Sequence, residues 1–354
     1  MKLKKWNHKV NSRTLGIFCN QFAITLGAGI TIVEALDLIG QETNNKAFGK
    51  DILDMKEMVK RGSSLSASSR QFPNSFPYLF IRMAETGELG GSLDKIMNNL
   101  GKYYEKQANL KSNVVGAVLY PILVLLVAII VILFLLTNVL PTFVNIYETM
   151  QSELPKTTQI LMLISSAVSR FWPLLILGSV IFFIFYKGLM NKENFAYRKD
   201  QILLKIPLIG GMITRIEMVR IADSLSILLS NGIDLISALS VVKNLSSNRF
   251  IMGKIDGVKN NVKSGRTLAK SFEETQIFKL TFYHMVKVGE RSGTLDTVLI
   301  NVSEYYNDEI KRYLKLILTI IEPLILLIVG GLVFFIIIAI MMPVFEIYSG
   351  YSEL

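Results

Sequence analysis

Apolar side chains recur at helical spacing through the first 100 residues. Leu15, Phe18 and Phe22 fall on one face of a first helix that Gly29 should stop, and Ile32, Leu36 and Ile39 on one face of a second. Ile52, Met55, Met58 and Val59 mark a third helix ending at Gly62, Ser64 is placed to cap a short fourth, and Pro73 and Pro77 bracket the start of a fifth. Glycine is the usual left-handed residue where one helix turns into the next. No segment sustains a period of two, so the pattern predicts an all-α fold.

The same pattern returns further along the chain. LGAGITIVEAL (26–36) matches LSNGIDLISAL (229–239), and RGSSLSAS (61–68) matches SGRTLAKS (264–271), both at an offset of 203. After one gap the offset is 202: GELGGSLD (87–94) matches GERSGTLD (289–296), and Tyr103-Tyr104 matches Tyr305-Tyr306. The match runs on through Pro121 with Pro323 and Pro141 with Pro343. A repeat this long predicts a duplicated architecture: two helical-bundle domains, each with a last helix that continues into a membrane. Gly29, Gly62, Gly87 and Gly91 are expected to turn or cap helices in the first copy, and Gly232, Gly265, Gly289 and Gly293 in the second. Asp94 and Asp296 then fall in the first turn of a helix, where a carboxylate complements the helix dipole.

Three uncharged runs interrupt this amphipathic sequence. Val114–Leu140 is almost wholly aliphatic, a second run lies between Arg170 and Lys187, and a third covers Pro323–Phe345. About 20 apolar residues cross a hydrocarbon core. The expected layout is a cytoplasmic helical domain over 1–111, a transmembrane helix over 112–140 and a short external loop over 141–164. A second span over 165–187 follows, then a second cytoplasmic domain over 188–315, a third span over 316–345 and an external tail over 346–354. Charge sets the orientation. Residues 1–111 carry 16 Lys/Arg against 10 Asp/Glu, and residues 187–322 carry 20 against 14, whereas the tail has no basic residue. Basic residues stay on the cytoplasmic side, so the N-terminus is expected inside and the C-terminus outside. Two copies entering the membrane in the same direction need one extra span to bring the chain back, which is the task of the second. The prolines at 121, 141, 323 and 343 are expected to be transmembrane prolines.

Composition narrows the chemistry. The chain is 51% hydrophobic and 19% charged, with a net charge of +10. Topology accounts for most of that charge, and no nucleic-acid motif accompanies it. The lone Cys19 excludes a disulfide scaffold, and His8 and His284 stand far apart. No phosphate-binding G-x-x-x-x-G-K-[ST] occurs, no ionisable residue lies at the centre of a span, and no catalytic set is evident. The chain is therefore expected to be no enzyme, to need no cofactor or metal, and to bind no nucleic acid directly; a solute permease subunit is the alternative. The two Gly-Glu loops are the best-defined motifs. They read first as turns, and second as a docking face or divalent-ion site around Arg82, Glu85 and Glu88 in one copy and Lys287, Glu290 and Arg291 in the other.

Duplicated G-[IV]-x-x-x-x-A-L (Gly29–Leu36, Gly232–Leu239), duplicated G-E-x-x-G-x-L-D, Tyr120-Pro121 and Glu322-Pro323, and Lys205-Ile-Pro-Leu-Ile-Gly210 together resemble the type II secretion F-domain family over about residues 12–347. The resemblance implies a three-span inner-membrane platform in the lipid bilayer, working as a homo-oligomer. It implies as partners a cytoplasmic hexameric assembly ATPase and pilin-like (pseudopilin) proteins, whose polymerisation the ATPase drives through the platform. A length near 350 and a short N-terminus are most similar to the competence members of Gram-positive bacteria, which implies a role in DNA uptake.

Overall fold

The computed structural model describes residues 9–149 and 193–351, with a few single positions between 159 and 188. Among the described residues every regular element is a helix. The span expected over 165–187 lies outside them apart from those single positions.

The first segment contains α1 (Ser12–Gly27), α2 (Ile32–Glu42), α3 (Lys46–Lys60), α4 (Leu65–Ser69), α5 (Tyr78–Gly90) and the long α6 (Leu93–Phe134). Side chains fix the starts of four of them. Asn11, Thr31, Asn45 and Ser64 each accept a hydrogen bond from the backbone N–H three residues on, and Thr31 closes a capping box with Glu34. Gly91 ends α5 in the left-handed conformation (φ 62°). The periodic apolar faces meet in a core of five phenylalanines: Phe18 packs against Phe22, Phe48, Phe76 and Phe80 with ring centroids 5.5–6.0 Å apart.

The second segment follows α8 (Glu193–Lys205). It contains α9 (Ile209–Ser230), α10 (Leu235–Lys243), α11 (Arg249–Lys263), α12 (Leu268–Glu273), α13 (Leu280–Ser292) and α14 (Leu295–Tyr351). At the sequence offsets of 203 and 202, α11 has the same bounds as α3, α13 as α5, and the starts of α12 and α14 match those of α4 and α6. Gly293 ends α13 as Gly91 ends α5 (φ 74°), and Gly29, Gly62, Gly232 and Gly265 also have positive φ.

Two compact units result, one formed by residues 1–114 and 197–313, the other by 115–196 and 314–354. Helices α6 and α14 each pass from the first unit into the second. In each, only 11% of the most apolar 18-residue stretch is buried. A core helix of a soluble protein would bury that stretch, so these are rods for a lipid environment and the chain is a membrane protein.

The helices are longer than the sequence suggested. An end was expected at Leu140 and a loop from 141, but α6 passes through a π-helical turn at Leu135–Val139 into α7 (Leu140–Thr149). Pro141 has no N–H to donate and its ring would strike the carbonyl four residues back. The wider π turn accommodates it, and the hydroxyl of Thr137 and the amide of Asn138 bond back to the carbonyls of Leu133 and Phe134. Ser165 donates to the Leu136 carbonyl within the same turn at 2.7 Å. Pro121 lies inside α6, and Pro323 and Pro343 inside α14, whose helix runs beyond the expected boundary at 345 to Tyr351. Gly87 and Gly289 were expected to end helices; both lie within the last turn, and it is their carbonyls that accept the capping N–H groups of Gly91–Ser92 and Gly293–Thr294.

Candidate functional site

The Gly-Glu loops are internal joints. The Glu88 carboxylate sits over the start of α4, where it accepts hydrogen bonds from the backbone N–H of Leu65, the N–H of Ser66 (3.2 Å) and the Ser66 hydroxyl (2.5 Å). Glu290 does the same at the start of α12, with Leu268 N–H at 2.6 Å and Ala269 N–H at 3.1 Å. A carboxylate at a helix N-terminus satisfies orphan donors and complements the dipole. Each glutamate thus ties the end of one helix to the beginning of another 22 or 23 residues upstream. Gly87 and Gly289 allow a different close approach, of α5 to α6 and of α13 to α14: a Cβ on either would lie 3.1 Å from the Cα of Leu93 or Leu295. Asp94 and Asp296 occupy the first turns of α6 and α14, as expected.

Other residues of the expected docking face are more open. Arg82 pairs with Glu85 at 2.8 Å, and Arg70 approaches the same carboxylate at 3.9 Å. Lys287 and Arg291 are exposed on α13, with Arg291 in its last turn. No group of three or more His, Cys, Asp or Glu side chains with metal-binding geometry occurs among the described residues. Glu88 and Glu290 hold backbone donors instead of standing free for an ion.

A second polar site, announced by no motif, lies where α6 of the first segment meets α9 of the second. Lys106 donates to Asp223 (2.8 Å) and to the hydroxyl of Ser303 on α14 (2.7 Å). Tyr103 and Ser224 share a hydrogen bond of 3.0 Å, Gln107 reaches Asp223 at 3.4 Å, and Asn99 meets Asn231 at 3.4 Å. Burial pushes the Asp223 carboxyl upward against the pull of Lys106, and burial pushes the Tyr103 hydroxyl up to about 12. The available signal was the polar interruption of a helix buried all round: Glu217, Asp223, Ser224 and Ser226 are buried on α9, whereas Gln21, the place on α1 that matches Ser224, is exposed.

A third cluster clasps α9, α13 and α14. Glu309 accepts from Lys279 (2.7 Å) and from Arg215, whose guanidinium lies 3.9 Å above the ring centre of Tyr313. Burial alone would raise the Glu309 carboxyl, but Lys279 and Arg215 hold it below its ordinary value.

These geometries describe two bundles of linked helices with capped loops, joined by a lysine. The family described as "Type II secretion system (T2SS), protein F" matches residues 18–141 and again 221–343. The chain belongs to that family. Among its relatives, the type IV pilus assembly protein PilC of Pseudomonas aeruginosa is 31% identical over 340 residues, covering 96% of this chain and 91% of its own length. The type II secretion system protein F of Aeromonas hydrophila is 31% identical over 337 residues (94% and 86%). A second PilC, from Myxococcus xanthus, is 30% identical over 345 residues (96% and 81%). A member of the type II secretion protein F family thus carries its two matched stretches on helices that end in exposed apolar rods.

Proposed function

We propose that this chain is the non-enzymatic membrane platform of a type IV pilus-like or type II secretion-like machine. Its two helical segments are two copies of one cytoplasmic domain, over 1–111 and 188–315, on three spans with the N-terminus inside and the C-terminus outside. In this role the platform couples a cytoplasmic assembly ATPase to the polymerisation of pilin-like subunits in the membrane, and in a competent cell it serves DNA uptake. The observation that carries the reading is the double family match, each half of which begins in a polar helical bundle and ends inside a long helix with an exposed apolar stretch. The names of the relatives, pilus assembly and secretion proteins, support the same role.

The motor is assigned to the first domain, at the Arg82–Glu85 edge, and a different partner to the Lys287–Arg291 edge of the second. Rim charges set specificity and association rate. Because Glu88 caps α4, the charge to reverse is Glu85 alone. Membranes containing tagged full-length protein, solubilised gently, should yield the ATPase and pilin-like proteins on co-purification. Glu85→Lys should reduce the ATPase recovered while leaving the platform's own abundance unchanged. Deleting the gene should stop assembly of the filament, and unaltered assembly in the deletion would sink the platform role.

A further inference from the structure

The joint between the segments is one-sided. Helix α6 of the first segment covers α9 of the second, so Tyr103 is 8% exposed and α9 is buried on every face. Among the described residues the matching surfaces have no cover. Tyr305, which stands on α14 where Tyr103 stands on α6, is 42% exposed, with Asn301 and Asp308 exposed beside it. On α1, the counterpart of α9, Ile17 is 54% and Ile24 73% exposed, with Gln21 between them on the same face. One half of the joint is open at each end of the repeat.

We infer that the uncovered α14 face around Tyr305 docks on the uncovered α1 face of a second copy of this chain, repeating between molecules the joint that α6 and α9 make within one. This rests on reading the two segments as copies of one domain. The chemistry of the two faces is complementary when superimposed on the internal joint. Tyr103 with Ser224 becomes Tyr305 with Gln21, a hydroxyl facing an amide. Lys106 with Asp223 becomes Asp308 with Asn20, a carboxylate facing an amide N–H donor. Ile17 replaces Arg220, offering apolar surface to the tyrosine ring, the side chain most often found at the centre of an interface. Among the described residues Asp308 pairs with Lys311, at 2.9 Å on the surface where both are more than half exposed, a contact that contributes little and is readily exchanged.

The same residues select against the wrong pairing. Placing α14 of another molecule on α9 would set Asp308 against the buried Asp223, two carboxylates with no cation between them. Only α1 accepts α14, so the contact is head to tail, and such contacts propagate until a rotation closes them into a ring. Because α6 and α14 both run from the first unit into the second, the operation that relates the segments keeps every added molecule on the same side of the membrane.

The test uses the full-length chain in its own membrane with a short bis-maleimide cross-linker; Cys19 is buried and serves as background. Chains carrying Gln21→Cys with Tyr305→Cys should give linked dimers and higher multimers, while either single variant stays monomeric. Mixing differently tagged Gln21→Cys and Tyr305→Cys chains should give a mixed dimer. A chain with Asn99→Cys and Asn231→Cys, cleaved after Thr149, should remain in one piece through its internal link. Failure of that internal link would remove the joint itself and the inference with it. An intact internal link with only monomers from the 21/305 pair would overturn the inference alone. So would a link between two Tyr305→Cys chains, or capture of a different protein by either cysteine.

Discussion

Lys106 and Asp223, 117 positions apart in sequence, meet at 2.8 Å and join the helix that leads into the first apolar rod to the helix that opens the second segment. Only 9% of the Asp223 side chain is exposed, against 33% for Lys106. Removing the cation leaves a buried carboxylate without its partner, which typically costs about 3 kcal/mol, whereas removing both charges costs much less. Lys106→Met should lower the unfolding midpoint of the detergent-solubilised protein by several degrees. Lys106→Met with Asp223→Leu should recover most of it. Equal losses in the single and double variants would show that the pair contributes packing, not charge.

Glu88→Ala and Glu290→Ala should each destabilise by about 1–2 kcal/mol, since each uncaps a short helix and releases two backbone donors. Limited proteolysis should show the first new cleavage near Leu65 or Leu268. A Glu88→Ala protein with unchanged stability but no filament assembly would assign that carboxylate to a partner.

Gly87→Val and Gly289→Val should cost about 1–3 kcal/mol, because the added carbon meets the backbone of Leu93 or Leu295 and the following helix must shift. Membrane abundance at two growth temperatures measures it, with Gly116→Ala, which meets nothing within 4 Å, as the control.

Acid should loosen the α13–α14 clasp. The Glu309 carboxyl is held below the ordinary 4.5, so its stabilising contribution is present above that pH and is lost as pH falls through the folded value. The difference in stability between wild type and Glu309→Gln should shrink as pH is lowered from 6 towards 3, which are solution conditions on the scale of about one to two units around an ordinary carboxylate. A difference that does not change with pH would show that Glu309 acts through packing alone.

Orientation is open to direct labelling. With Cys19 buried, a membrane-impermeant maleimide applied to intact cells should modify Ser349→Cys and leave Ser264→Cys untouched until the membrane is permeabilised. Modification of Ser264→Cys in intact cells would reverse the proposed topology.

Much of the helical layout was legible because the signals are local. Gly29, Gly62, Gly232 and Gly265 stand at the turns where the apolar periodicity breaks, and Ser64 and Thr267 cap the helices they precede. The membrane end was less legible. Boundaries were expected at Leu140 and Phe345, but α7 continues to Thr149 and α14 to Tyr351; a helix in lipid has no water to receive freed carbonyls and keeps its ladder where it can. The site was harder to read. Glu88 spends its carboxylate on residues 22 and 23 positions away, and Lys106 finds Asp223 only after two bundles have folded; spacing along the chain carries neither distance.

The π turn at Leu135–Val139 bears on how apolar segments recognise one another. Lipid tails are as apolar as leucine, so greasy contact alone gives no preference for one sliding position over another. A carbonyl that has slipped out of its helical ladder does give one. The Leu136 carbonyl accepts the Ser165 hydroxyl at a single position along the apolar helix, beside the small cluster of Leu136, Leu140 and Ile336. The irregularity imposed by one proline thereby becomes an address, a place where a neighbouring segment is recognised by a polar bond in surroundings that otherwise treat every position alike.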